Sequence, residues 1–148
     1  MKLLAKSIID KEQTDTRKDL DVDGIEIILL GRELDQENFN ATKEAFITLA
    51  DHFPIIGIEA PISYKILPVN PIAEDKVTRE QSREYLQRCL ELTNQIKAAT
   101  KAEVYFQYQY AFGNFQPNGY PARKVPLTYE LEQIAQFHRS LEAQCDFP

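Results

Sequence analysis

Histidine and cysteine are scarce in this chain: two of each stand among 148 residues. No Cys/His spacing matches a zinc site. No Gly-x-Ser-x-Gly marks a nucleophile elbow, and no glycine-rich loop follows the first strand to cradle a phosphate. Zinc-site and hydrolase-triad chemistry are therefore set aside. Apolar runs are short, and none approaches a membrane span. The start, Met1 to Lys6, has a charge inside its apolar stretch and is too short for a secretory h-region. The expected location is the cytoplasm, where Cys89 and Cys145 stay free thiols. Basic residues are outnumbered, 17 against 23 acidic, for a net charge of −6. Without a Lys/Arg stripe, the electrostatic footprint of a nucleic-acid binder is missing. Only phosphate-sized anions, met locally, suit this balance.

What is present is ordinary for a folded soluble chain, 43% hydrophobic and 27% charged. Residues 1–148 read as one domain, shorter than the roughly 200–250 residues of an eight-fold βα barrel. The pattern is four strand–helix units. Leu3–Ile9 is an apolar run suited to a buried first strand. A short polar helix follows around Thr14–Leu20. After Asp23-Gly24, Ile25–Leu30 is a β-branched run fit for a strand buried on both faces. The second helix is expected to start at Asn40 as N-cap, with Phe46, Leu49 and Phe53 inward. This helix start also accounts for the sequon Asn40-Ala41-Thr42 better than a glycan does. Pro54 ends the helix, and Ile55–Ala60 is the third strand. Thr78-Arg79-Glu80-Gln81 reads as a capping box, followed by the stripe Tyr85, Cys89, Leu92, Ile96 and Ala99. Ala102–Tyr110 is the fourth strand, with Tyr105, Gln107 and Gln109 on one side and Phe106, Tyr108 and Tyr110 on the other. Thr128 is expected to cap a last helix facing inward through Leu131, Ile134, His138 and Leu141, with His138 as a packing histidine. The chain stops at Cys145-Asp146-Phe147-Pro148, where a fifth strand would begin. Alternating βα units imply a parallel sheet. Four of them make either half of an eight-stranded barrel or a small open flavodoxin-like sheet.

The connections differ by side. Helix-to-strand links are short (Asp21–Asp23, Asp51–Pro54, Thr100-Lys101). Strand-to-helix links are long: Gly31–Phe39, Pro61–Val77 and Ala111–Leu127. All three long loops thus lie at the carboxyl ends of the strands, where parallel α/β proteins place their ligand sites, unless they are merely tolerated insertions. Glu26 lies inside the apolar second strand and Glu59 at the end of the third, and a carboxylate there is costly to bury unpaired. With neighbouring strands, Glu26, Glu59, Gln107 and Gln109 converge on one lumen, equipment for proton abstraction beside a carbonyl. The plainer alternative leaves Glu26 snorkelling to water and Glu59 in a loop. The loops add aromatic, amide and basic groups, among them Tyr64, Lys65 and Arg123, with Arg32 and Lys124 also in reach of a phosphate. These suit a small polar ligand such as a sugar, or else they cover the end of the core.

Asp23-Gly24-Ile25-Glu26-Ile27 resembles the second-strand signature of the xylose-isomerase-like TIM barrels, the superfamily of sugar and sugar-phosphate isomerases and epimerases and of endonuclease IV. Ile58-Glu59-Ala60-Pro61 resembles that family's third-strand end, and Arg83–Ala99 with Ala102–Phe106 its third helix and fourth strand. The similarity covers the first half of the family's barrel. It implies a divalent metal in an acid- and histidine-lined lumen and an isomerisation or C3 epimerisation through an enediolate. The chain departs from the family at Glu59 and at Gln107 or Gln109, where histidine is common. The family's main metal carboxylates sit on strands five to eight, so no metal ligand is assigned here.

The resulting expectation is a sugar or sugar-phosphate isomerase- or epimerase-like half-barrel, incomplete as a catalyst alone. Glu26 and Glu59 would be its catalytic groups, and Gln107, Gln109, Tyr64, Lys65 and Arg123 its substrate contacts. The alternative is a non-catalytic small-molecule-binding or self-associating half-barrel. A homo-oligomer or a second chain completing the barrel is the expected partner.

Overall fold

Short apolar runs with Gly, Pro or Asp at their borders pair as strands, and the runs with 3.6-residue periodicity between them form helices. The computed structural model describes residues 2–64, 67–108, 114–115, 121–122 and 127–144, with backbone alone for 64, 67–68, 114–115, 121–122 and 127–130. In chain order these are β1 (Leu4–Ile8), α1 (Lys11–Lys18), β2 (Gly24–Ile28), a 3-10 turn (Arg32–Leu34) and α2 (Phe39–Ala50). Then come β3 (Ile55–Glu59), β4 (Ser63–Tyr64), β5 (Leu67–Pro68), α3 (Lys76–Ala99), β6 (Glu103–Gln107), β7 (Asn114–Phe115), β8 (Pro121–Ala122) and α4 (Leu127–Glu142).

The fold is α/β, with one all-parallel sheet of order β1-β2-β3-β6. The β4–β5 and β7–β8 pairs are small antiparallel ribbons. The order is sequential, as in consecutive strands of a βα barrel, and differs from the 2-1-3-4-5 order of a flavodoxin sheet. Right-handed crossovers in sequential order put every helix on one side of the sheet, and the burial pattern agrees. Ala5, Ile25, Ile27, Ile56, Ile58 and Val104 point into a core shared with Phe46, Leu86, Cys89, Leu92 and Ile96. Burying each large apolar side chain stabilises the fold by about 1.5–3 kcal/mol. On the opposite face Ile55 and Glu59 are buried, Leu4, Ile8, Glu26, Ile28, Tyr105 and Gln107 are half-buried, and Lys6 is exposed. The expectation that β2 is covered on both sides therefore holds for neither Glu26 nor Ile28.

This second face is concave. Lys2 Nζ lies 2.6 Å from Glu103 Oε2, although Lys2 precedes one outer strand and Glu103 begins the other. Three spacings of ~4.8 Å would set those strands about 14 Å apart on a flat sheet, with side chains standing off it rather than along it. The pair closes because the sheet curls toward this side.

Helix boundaries shift from the sequence-based expectation for local reasons. α1 begins at Lys11 because the Asp10 side chain accepts from Gln13 N. α2 begins at Phe39, with Asn38 rather than Asn40 before it, and Asn38 Nδ2 donates to Arg32 O. The α3 N-cap is Asp75, accepting from Thr78 N, so Thr78 lies inside the helix and the capping box does not form there. Ala99 is exposed, and Leu86, Leu90 and Thr93 widen the buried stripe instead. Thr128 likewise lies inside α4. That helix packs through Phe137 and Leu141, while Leu131 is exposed. Phe137 meets Tyr108 edge-on and sits under the Arg83 guanidinium. His138 is on the exposed flank, between Tyr108 Oη at 3.1 Å and Glu142 Oε1 at 3.1 Å. Among the described residues, no helix is long and apolar enough to cross a membrane.

Candidate functional site

Strand register builds the site. Lys6, Glu26, Gly57 and Tyr105 are mutual partners across β1, β2, β3 and β6. In-register partners share a face, so all four lie on the concave side. Glu59 and Gln107 pair two residues nearer the carboxyl end, on the same side. Lys6 Nζ reaches Glu26 Oε1 at 3.0 Å and Glu59 Oε2 at 2.7 Å. The Tyr105 hydroxyl donates to Glu26 Oε2 at 2.8 Å. Both long reaches cross a strand: Lys6 passes over β2 to Glu59, and Tyr105 passes over β3 to Glu26.

Gly57 makes the second crossing possible. A Cβ on it would fall on the Tyr105 ring edge and hydroxyl, close to Glu26 Cγ. The glycine leaves the shallow bed in which the phenol lies. Gly31, with φ of 109°, serves differently, turning the chain out of β2 in a conformation that favours glycine.

Burial grades across the cluster. The Glu59 side chain is 3% exposed, Glu26 14% and Lys6 51%. The carboxylates are thus enclosed and their counter-ion reaches water. Hydrogen bonds to Glu59, then to Glu26, hold the Lys6 ammonium above its ordinary value of 10.5. Burial first, then the hydrogen bond to Glu26, pushes the Tyr105 hydroxyl well above its ordinary value of 10.0. At neutral pH Lys6 is thus a fixed cation and Tyr105 a neutral phenol, both set against Glu26.

The surroundings are tied down. Leu29 N donates to Glu59 O and Ala60 N to Gln107 O, extending the ladder at the carboxyl ends. The Glu33 side chain folds back to accept from Leu30 N. Beyond β5, Asn70 N donates to Ser82 Oγ, and Arg79 and Arg83 reach the carbonyls of Ala73 and Pro71. The loop after β3 is thereby fastened to the first turns of α3.

Of the expected site residues, Glu26 and Glu59 come together, joined through Lys6. Gln107 stands beside Glu59, half-buried. Tyr64 is in β4 with its side chain outside the described residues, as are Lys65, Gln109, Arg123 and Lys124 altogether. Arg32 is exposed, 3.7 Å from Glu33 Oε1. Sequence reasoning missed Lys6 and Tyr105 as site residues. Lys6 carried a signal: a lone charge at the centre of an apolar strand, the same anomaly that singled out Glu26.

The donor set does not suit the divalent metal that the resemblance implies. An ammonium stands between the Glu26 and Glu59 carboxylates. Among the described residues no group of three or more His, Cys, Asp and Glu could hold a metal ion. The clefts on the helical side, one of about 270 Å³ lined by Leu34, Phe39 and Arg88 and one of about 480 Å³ lined by Leu90, Asn94 and Gln144, contain no residue of the cluster. Comparisons with protein-family models, curated proteins and solved structures find no match to this chain.

Proposed function

We propose that the chain is an isomerase- or epimerase-like protein for a sugar or sugar phosphate, and that its cluster works only inside a lumen closed by further strands. One observation carries this: Lys6 lies within 3.0 Å of two enclosed carboxylates on the concave face of the sheet. Glu59 takes the proton from the carbon beside the substrate carbonyl. The C–H electron pair becomes the C=C bond of an enediolate, and the carbonyl π pair moves to oxygen beside the Lys6 ammonium. Passage of the neighbouring hydroxyl proton to that oxygen, with return of the carbon-bound proton to the former carbonyl carbon, isomerises the sugar. A proton that Glu26 takes up from solvent and delivers to the other face of the original carbon, while Glu59 releases its own, epimerises it. Lys6 supplies the positive charge that a metal supplies elsewhere. Gln107, Gln109, Tyr64, Lys65 and Arg123 are the proposed ligand contacts. A cytoplasmic setting belongs to the same proposal, in keeping with the buried free thiol of Cys89.

Proton exchange tests it. Aldoses, ketoses and their phosphates incubated with the protein in D2O should lose the NMR signal of the hydrogen beside the carbonyl. Glu59→Gln should slow that loss by about 10²–10⁴-fold. Unchanged exchange in Glu59→Gln removes Glu59 from the chemistry. The ion pairs that already engage both carboxylates favour a second reading, a binding module without turnover. Sugar-induced shifts at Lys6 and Tyr105 without any exchange would establish that reading instead.

A further inference from the structure

The concave face and the two outer strands point to an occupant. Among the described residues, β1 and β6 each have one strand neighbour. On the face opposite the helix-packed core, Leu4, Ile8 and Ile28 are half-buried, beside buried Ile55 and Glu59. The edges are also opposite in charge: Lys2 and Lys6 belong to the β1 side, and Glu103 opens β6. Within one chain these charges already attract across the whole face, as Lys2 and Glu103 do.

We propose that a second copy of this chain closes the face, β1 of each copy pairing with β6 of the other in an eight-stranded parallel barrel. A two-fold axis along the barrel preserves strand direction, so both new seams are parallel like the rest of the sheet, and they are identical by symmetry. Eight strands leave an interior just wide enough for side chains to fill. Half-buried Leu4, Ile8 and Ile28 supply part of that filling. Each seam sets Lys2 of one copy beside Glu103 of the other, exchanging a contact across the lumen for one between adjacent strands. Closure brings a second Lys6–Glu26–Glu59–Tyr105 cluster into the same lumen. The inference stands on sheet order, curvature and edge charge, and it survives if the isomerase proposal fails.

Light scattering at micromolar concentration should give twice the 17.1 kDa chain mass. A mass of one chain, or an open series of larger species, overturns closed pairing without recourse to any variant. Lys2→Glu and Glu103→Lys should each place like charges at both seams and raise the dissociation constant about tenfold. Mixed one to one, the two variants restore opposite charges at both seams and should return the wild-type constant as a heterodimer. The internal Lys2–Glu103 pair stays broken in that mixture, so recovery isolates the contact between copies. Dimers indifferent to both substitutions, or no recovery on mixing, overturn the edge assignment.

Discussion

At Gly57 the missing side chain decides what its neighbours do. Gly57→Ala drives a methyl into the Tyr105 ring, and overpacking of this kind costs about 1–3 kcal/mol. Urea unfolding should report that loss, and Gly57→Ala combined with Tyr105→Ala should lose less than the two single changes added. An additive result would mean that the two residues do not meet. Lys6 and Tyr105 set the alkaline behaviour. Both pKa values are raised in the folded chain, from 10.5 and 10.0. Below those values folded and unfolded chains are equally protonated, and the stabilisation through Lys6 is complete. As pH climbs past them the unfolded chain releases its protons first, so stability falls until the folded groups titrate as well. Lys6→Met and Tyr105→Phe should each flatten the decline of the urea midpoint above about pH 10. A decline of wild-type steepness in both variants would place the alkaline sensitivity elsewhere.

The helices show how elements are fixed by contacts beyond their own sequence. α3 is capped by Asp75, and the bond to Thr78 N holds its carboxyl below the ordinary 3.8. That contribution is present above pH 3.8 and is lost as pH falls through the lower folded value. Asp75→Ala should lower the thermal midpoint by about 2–4 °C, with Asp75→Asn keeping most of it. An unshifted midpoint in Asp75→Ala would remove the cap from the account. The body of α3 was legible because its apolar stripe runs for several turns. Its start was not, since Asp75 and Thr78 both make good caps, and the choice depends on where the loop from Asn70 to Glu74 is tied. In α4, Tyr108 and Arg83 offer a seat to an aromatic ring, so Phe137 turns inward and the stripe through Leu131 and His138 rotates toward water. Neither seat exists in the helix sequence taken alone.

For the whole molecule, the four-strand parallel sheet and the side bearing the long loops after β2 and β3 were readable, because β-branched runs and loop lengths are local properties. The convergence of Glu26 and Glu59 followed from strand order. Their junction did not, since it depends on curvature that brings Lys6 over β2 and Tyr105 over β3. Curvature is a property of the assembled sheet, and no stretch of residues spells it out. The links that cross strands act as short tethers stretched across the inside of a bow. A ligand that draws Lys6 away from Glu59 slackens one of them, and the sheet then opens more easily. By reciprocity, whatever fixes the bend also sets how tightly that ligand is held. For any such ligand, affinity and the shape of the sheet would be one linked quantity, coupled through four side chains and a glycine.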